Sequence, residues 1–330
     1  MKISKILGYT LLALILVAGI GFLYVKNIAA GSKPDWDPET YVSVKANDLE
    51  FSVDVRGDAA NTPVILLHGF PEAAVMWDKF MDELVVKNYY AIAPNQRGYS
   101  SGARPADVEE YGIEYLASDI MTIADELGLK KFHLVGHDWG AVVGWKLAAD
   151  HPDRIISYSA ISVPHIDSFT KAYREDPEQF EASGYIRFFQ KSMLPEFALA
   201  NNDYEKLKSI WTSHEDAEID HYLNIFGQEG ALTAVINWYR ANFSAFEGDI
   251  VVGQAKVPTT FIWGNGDRAI KRSGVDETRD LVDADYQFIE MDATHWIIQE
   301  EYEALTGHIL AHMEKYSGAE SSGGEEPVSE

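Results

Sequence analysis

From Tyr41 onward the chain alternates between short apolar runs and longer stretches of helical periodicity. Residues 41–56 change polarity in strand fashion on either side of Asn47-Asp48, which predicts an opening hairpin. Continuous apolar runs follow at 64–67, 89–93, 132–135 and 155–161. Helical sequence separates them near 73–86, 113–127 and 141–149. Strands that are apolar on both faces and alternate with helices predict a mostly parallel sheet covered on both sides. The alternation stops after Pro164. Residues 165–247 read as helical, with no convincing strand and fifteen aromatic side chains, a density above the 12% of the whole chain. Strands resume at 259–263 and 286–290, and a last helix is expected near 299–315. The order predicts an α/β core built from residues 41–164 and 248–316, with residues 165–247 inserted as an all-helical cap. Residues 317–330 are rich in Gly, Ser and Glu and are expected to form a disordered tail.

The pattern ahead of Tyr41 is different. Residues 6–25 carry no charge, and twelve of the twenty are Leu, Ile, Val or Phe. As a helix this run would be about 30 Å long, enough to span the hydrocarbon core of a bilayer, and insertion is favoured by about 4 to 7 kcal/mol. A cleaved secretory signal is the alternative, since Ala29-Ala30-Gly31 could serve a peptidase, but such signals have shorter apolar regions. Lys26 closes the run, and residues 31–40 read as a linker. Lys2 and Lys5 precede the span, which places the N-terminus in the cytoplasm and the remaining chain outside it, anchored or, if cleaved, secreted.

Composition narrows the chemistry. The absence of cysteine excludes disulfides, thiolate metal sites and thiol catalysis. A formal net charge of −25 argues against nucleic acid as a partner, because a phosphate backbone would be repelled.

The most informative segment is Gly136-His137-Asp138-Trp139-Gly140, between a predicted strand and a predicted helix. Small residues flanking a central side chain in that context describe a nucleophile elbow, a tight turn that lifts one group above the sheet. The apex here is Asp138, not serine. A carboxylate is anionic at neutral pH and suits displacement at a saturated carbon, leaving an alkyl ester on the protein. The bland reading is a helix-capping aspartate in a glycine-rich turn. Upstream, His68-Gly69-Phe70-Pro71-Glu72 directly follows a predicted strand, so the N–H of Phe70 and that of Trp139 can form an oxyanion hole. Pro71 is a candidate cis-proline. Downstream, Asp292-Ala293-Thr294-His295-Trp296 follows the final strand and offers His295 as a base. Trp263-Gly264-Asn265-Gly266-Asp267 follows the preceding strand and offers Asp267 to orient that imidazole, unless it only caps a turn. Among the other histidines, His68 and His137 sit inside tight motifs and read as structural. His308 and His312, four apart on the last helix, are expected at the surface.

Nucleophile, acid and histidine in the order 138, 267, 295 follow the α/β-hydrolase arrangement. With the two motifs around Phe70 and Asp138, and with Asn95-Gln96-Arg97-Gly98-Tyr99-Ser100 after the 89–93 strand, residues 41–316 resemble the epoxide hydrolase branch of that superfamily. The resemblance implies an α/β-hydrolase core with a helical cap, a small apolar epoxide as substrate, and no metal or organic cofactor. It further implies two cap tyrosines that protonate the opening oxirane. Asn237-Trp238-Tyr239-Arg240 is similar to the second of the family's tyrosine motifs, and Gly184-Tyr185-Ile186-Arg187-Phe188-Phe189-Gln190 is the best match to the first, with Tyr173 and Tyr204 as alternatives. Both tyrosines could instead belong to the core of the cap. Trp139 and Trp296 are expected to line the substrate site.

Two other readings fit parts of the pattern. Haloalkane dehalogenases share the aspartate elbow and a tryptophan after it, but they generally need a second halide donor, and position 70 here is Phe. Fluoroacetate dehalogenases carry Arg where this chain has Trp139. A membrane-tethered binding protein could keep the fold without turnover, although a binding pocket does not require Asp138, Asp267 and His295 together.

Overall fold

A computed structural model describes residues 41–248 and 252–317. Tyr41–Ala46 (β1) and Leu49–Arg56 (β2) form the expected hairpin. Asn47 and Asp48 turn it with φ of 49° and 63°, the left-handed pair that matches strand twist in a two-residue turn. Thr62–Leu67 (β3), Tyr89–Pro94 (β4), Phe132–His137 (β5), Ile155–Ile161 (β6), Thr259–Gly264 (β7) and Tyr286–Met291 (β8) complete one eight-stranded sheet in the order β1-β2-β4-β3-β5-β6-β7-β8. The pairs β1–β2 and β2–β4 are antiparallel and all others are parallel. Every residue of β4, β5 and β7 is buried, which is why these strands read as unbroken apolar runs.

Helices Asp78–Val86, Ile113–Glu126, Trp139–Asp150 and Tyr302–Ser317 connect and flank the strands. Trp139–Asp150 is buried along nearly its whole length. Within it the Trp145 ring is fully enclosed and its indole N–H donates to the Val163 carbonyl at 3.1 Å, so the polar end is satisfied as the ring packs. Truncating such a side chain typically costs about 3–5 kcal/mol.

Between β6 and β7 the described residues form seven helices: Ile166–Glu175, Pro177–Ala182, Gly184–Phe189, Leu194–Lys208, Asp216–Phe226, Ala231–Ala241 and Phe243–Glu247. Leu194–Lys208 is interrupted at Asn201, and Asn202, Asp203 and Tyr204 all have positive φ. Ala231–Ala241 is fastened to the core. The Trp238 indole donates to the Arg97 carbonyl at 2.8 Å, and just after the helix Asn242 accepts from the Ile113 N–H at 2.8 Å and donates to the Tyr111 carbonyl at 3.0 Å.

Three expectations need correction. The last helix starts at Tyr302, after a separate turn Ile297–Glu300, and runs to Ser317, so position 317 belongs to the helix and not to a tail. Arg272–Asp276, followed by a 3-10 turn at Glu277–Leu281, was not anticipated between β7 and β8. His312 is buried, its Nε2 3.2 Å from the Pro258 carbonyl, whereas His308 is exposed as expected. The two lie four residues apart, but His312 shares the inward row of Leu305 and Ile309. Among the described residues no helix is long and apolar enough to cross a membrane. The span expected at 6–25, the linker at 31–40 and the tail beyond 317 lie outside them.

Candidate active site

β5 ends at His137 and the next helix begins at Trp139, leaving Asp138 alone at the corner with φ 52° and ψ −118°. A non-glycine residue held there stores on the order of 1–3 kcal/mol, which the surrounding packing must offset. That packing is tight. A Cβ on Gly136 would collide with the Gly140 backbone, and one on Gly140 would collide with the Leu67 carbonyl at the end of β3. Glycine at these positions lets strand and helix approach closely enough to lift Asp138 above the sheet.

The loop after β3 meets this corner. The Phe70 N–H donates to Asp138 Oδ1 at 2.7 Å. Gly69 permits the approach, since a Cβ there would strike the Asp138 side chain, and the Phe70–Pro71 peptide is cis. The Trp139 N–H is the first of its helix and has no acceptor within it. The Asn95–Ser100 segment braces the loop from behind. Gln96 donates through its backbone to His68 Nε2 at 3.2 Å and through its side chain to the His68 carbonyl at 2.6 Å, while the Tyr99 hydroxyl donates to the Gly69 carbonyl at 3.3 Å. Arg97 holds this segment with two 2.7 Å bonds to Asp119. Burial lowers the His68 pKa to about 4, so this ring is neutral near pH 7 and structural, as the sequence suggested.

His295 follows β8 and Asp267 follows β7, and the parallel pairing of these strands brings them together. His295 Nδ1 donates to Asp267 Oδ2 at 2.7 Å, and Asp267 Oδ1 accepts from the N–H groups of Ala269 and Ile270 at 2.7 and 3.0 Å. The opposite ring nitrogen, Nε2, lies 3.4 Å from Asp138 Oδ2. Burial opposes a proton on this imidazole. The charge of Asp267 and the hydrogen bond to Asp138 outweigh it and raise the His295 pKa well above the ordinary value. The three residues separated by up to 157 positions therefore converge on one point.

Above them lies a cavity of about 510 Å³, lined by Asp138, His295 and Trp296 from the core and by Tyr185, Phe189 and Tyr239 from the cap, among others. The rings of Tyr185 and Tyr239 are 5.9 Å apart and nearly perpendicular. Burial, reinforced by the Asp138 charge, pushes both phenols far above their ordinary range, so they stay protonated. Tyr173 packs against Phe180 and Phe246 and does not line this cavity; nor does Tyr204. Trp139 stands edge-on behind Tyr239 at 5.2 Å and joins Asp138, Tyr185 and Tyr239 around a small side recess.

Comparison with known proteins identifies the family. The alpha/beta hydrolase fold family matches residues 62–302. The chain belongs to the α/β-hydrolase family, in the branch that holds the epoxide hydrolases. Human epoxide hydrolase 4 is 31% identical over 282 residues, covering 82% of this chain and 77% of that protein. The AB hydrolase superfamily protein YfhM of Bacillus subtilis is 33% identical over 281 residues, covering 82% of this chain and 96% of that protein. Among solved structures, an inhibitor complex of the Bacillus megaterium epoxide hydrolase superposes with a TM-score of 0.76 at 22% identity, covering 83% of this chain and all of that one, a likeness of fold.

This α/β-hydrolase also contains a buried network that sequence reasoning missed. Glu72, fully enclosed, accepts through Oε1 from His214 Nε2 at 3.0 Å and from Gln299 Nε2 at 2.8 Å, and its Oε2 lies 2.8 Å from His137 Nδ1. Burial alone would raise its pKa, but His137 and His214 overcome that and hold it well below the carboxylate range. On its other side, His137 Nε2 donates to the His295 carbonyl at 3.0 Å, a position also held by the Ser162 hydroxyl at 2.9 Å. Glu72 was visible as the last residue of its motif. Its partners are 65 to 227 positions away and carry no local signal.

Proposed function

We propose that this protein hydrolyses an epoxide to a vicinal diol in two steps, through a covalent ester on Asp138. The observation that carries the reading is the Asp138 carboxylate at the floor of a cavity whose roof is lined by two phenols, Tyr185 and Tyr239. Asp138 Oδ1 already accepts from the Phe70 N–H, which leaves Oδ2 to attack the oxirane carbon. As the C–O bond of the ring breaks, Tyr185 and Tyr239 hydrogen-bond the emerging alkoxide and supply its proton. Phenols suit this role because they donate without competing as nucleophiles. The product of this step is a hydroxyalkyl ester whose carbonyl oxygen is Oδ1.

The second step reuses the same contacts. Esterification neutralises Asp138 and removes one of the interactions that hold a proton on His295, so the ring becomes a better base once it is needed. His295, oriented by Asp267, takes a proton from water as that water attacks the Asp138 carbonyl carbon. The N–H groups of Phe70 and Trp139 stabilise the oxyanion on Oδ1, a contribution of about 3 kcal/mol per donor. Collapse expels the diol with Oδ2, which takes its proton back from His295; the water oxygen remains on Asp138, whose remaining acid proton restores the phenol spent in ring opening. Single turnover in ¹⁸O-water tests the sequence. The first diol must carry unlabelled oxygen from Asp138, and immediate full labelling contradicts the ester. Brominated alkanes in the same assay test halide displacement.

The N-terminal run supports a second, separate proposal, a single membrane anchor with the catalytic region outside the cytoplasm. Release of the full chain from membranes by alkaline carbonate would count against it.

A further inference from the structure

The cavity has opposite polarity at its two ends. Its floor holds Asp138 and Asp267, both already engaged with His295. At its rim stands Arg268, exposed, and apart from the His295 imidazole the one basic side chain among the described residues that line the cavity. Arg268 follows Asp267 directly, on the loop whose N–H groups at 269 and 270 are turned inward to hold the Asp267 carboxylate. Among the described residues it makes no ion pair or hydrogen bond, although the chain has 52 acidic against 27 basic residues. The same loop adds Lys271, whose Nζ donates to the Asp267 carbonyl at 3.3 Å and has no carboxylate partner among the described residues, and Arg272, which pairs with Asp276 and Glu290. An arginine with no partner among the described residues, on a loop otherwise built to serve the site, presents its donors to whatever enters the cavity.

We infer that Arg268 selects substrates bearing an anionic group, a carboxylate at the end of the molecule remote from the epoxide, and that it is a specificity-determining residue; the inference rests on the proposed epoxide chemistry. The charge pattern sets the orientation. The acidic floor repels a carboxylate, while the rim binds it with a planar, bidentate fork. The apolar walls between them, including Phe70, Phe189 and Trp296, take the intervening chain. A substrate so held can enter only with its epoxide toward Asp138.

The test compares ω-epoxy carboxylic acids of graded chain length with their methyl esters, using the full-length protein. The expected result is an acid-to-ester ratio in kcat/KM of about ten at the best length, the size of one charge-assisted hydrogen bond at a partly wet rim. The ratio should fall to about one in Arg268→Gln, fall only in part in Arg268→Lys, which keeps the charge but not the fork, and shrink as salt is raised. An ester turned over as well as its acid by the wild type, or an undiminished preference in Arg268→Gln, overturns the inference. Calorimetric binding of the matching dihydroxy acids and esters reads the same preference without turnover. An Arg268-dependent preference there supports the inference even if no epoxide is opened, an outcome that would instead count against the proposed reaction. Equal binding of acid and ester overturns it.

Discussion

Replacing Tyr239 by Phe removes one oxygen and leaves the ring in place. That ring is 3% exposed and is packed edge-on against Phe70 at 5.6 Å, Trp139 at 5.2 Å and Phe189 at 4.9 Å, so the cavity wall is kept. The lost hydroxyl should change stability by no more than about 1 kcal/mol. Its effect on ester formation should be much larger. General-acid assistance contributes about 10²- to 10⁴-fold, and with Tyr185 remaining as a second donor the lower end applies, about a hundredfold or roughly 3 kcal/mol of barrier. Removing both phenols should cost far more than the sum of the two single losses, because each single variant retains a donor and the double variant has none. Rapid quench of a single turnover, with the ester followed by intact mass, separates ester formation from its hydrolysis. The first rate should fall while the second stays within a few-fold. An unchanged rate of ester formation in Tyr239→Phe, or slowing confined to hydrolysis, would refute the assignment of the phenols to ring opening.

His295→Gln should stop the cycle after its first step and accumulate an adduct of one substrate mass on Asp138; absence of any adduct from an epoxide that the wild type consumes removes His295 from the base role. Asp138→Asn deletes a charge and a hydrogen bond that raise the His295 pKa, so an NMR titration should find that pKa lowered relative to wild type, and an equal or higher value would contradict the coupling. Acid should destabilise the fold. His68, His221 and His312 have pKa values lowered to about 4 and His133 to about 3, all mainly by burial. Below the unfolded value of about 6.5 the unfolded chain binds protons that the folded one refuses, at a cost of about 1 kcal/mol per ring by pH 5.5. His295 acts in the opposite sense, its stabilisation present below that value and lost as pH rises through its raised folded pKa. Urea midpoints at pH 7 and 5.5 decide the balance, and equal midpoints would show that the buried rings do not govern it.

The features legible in the sequence share one property: each is set by neighbours in the chain. The elbow could be read because Gly136 and Gly140 must flank Asp138 wherever strand and helix approach so closely. Parallel strands could be read because burial on both faces leaves no polar alternation. Phe70 could be aimed at Asp138 because its loop directly follows a strand, and the two meet through a 2.7 Å bond. Glu72 gathers partners from β5, the cap and the Ile297–Glu300 turn, none of which announces the others. His312 was misplaced because a polar residue on a terminal helix suggests solvent, and the carbonyl of Pro258 that receives it lies 54 positions earlier. Arg268 carries no local signal, and only its place at the cavity distinguishes it.

The bonds from Trp238 to Arg97 and from Asn242 to Ile113 and Tyr111 clamp one cap helix to the core. Tyr239, carried on that helix, is thereby tied to the same core that holds Asp138. The helix Leu194–Lys208, broken at Asn201, has no comparable clamp at that break among the described residues. Natural variation or laboratory evolution can remodel that helix to admit molecules of new shape while the geometry of bond making is inherited intact.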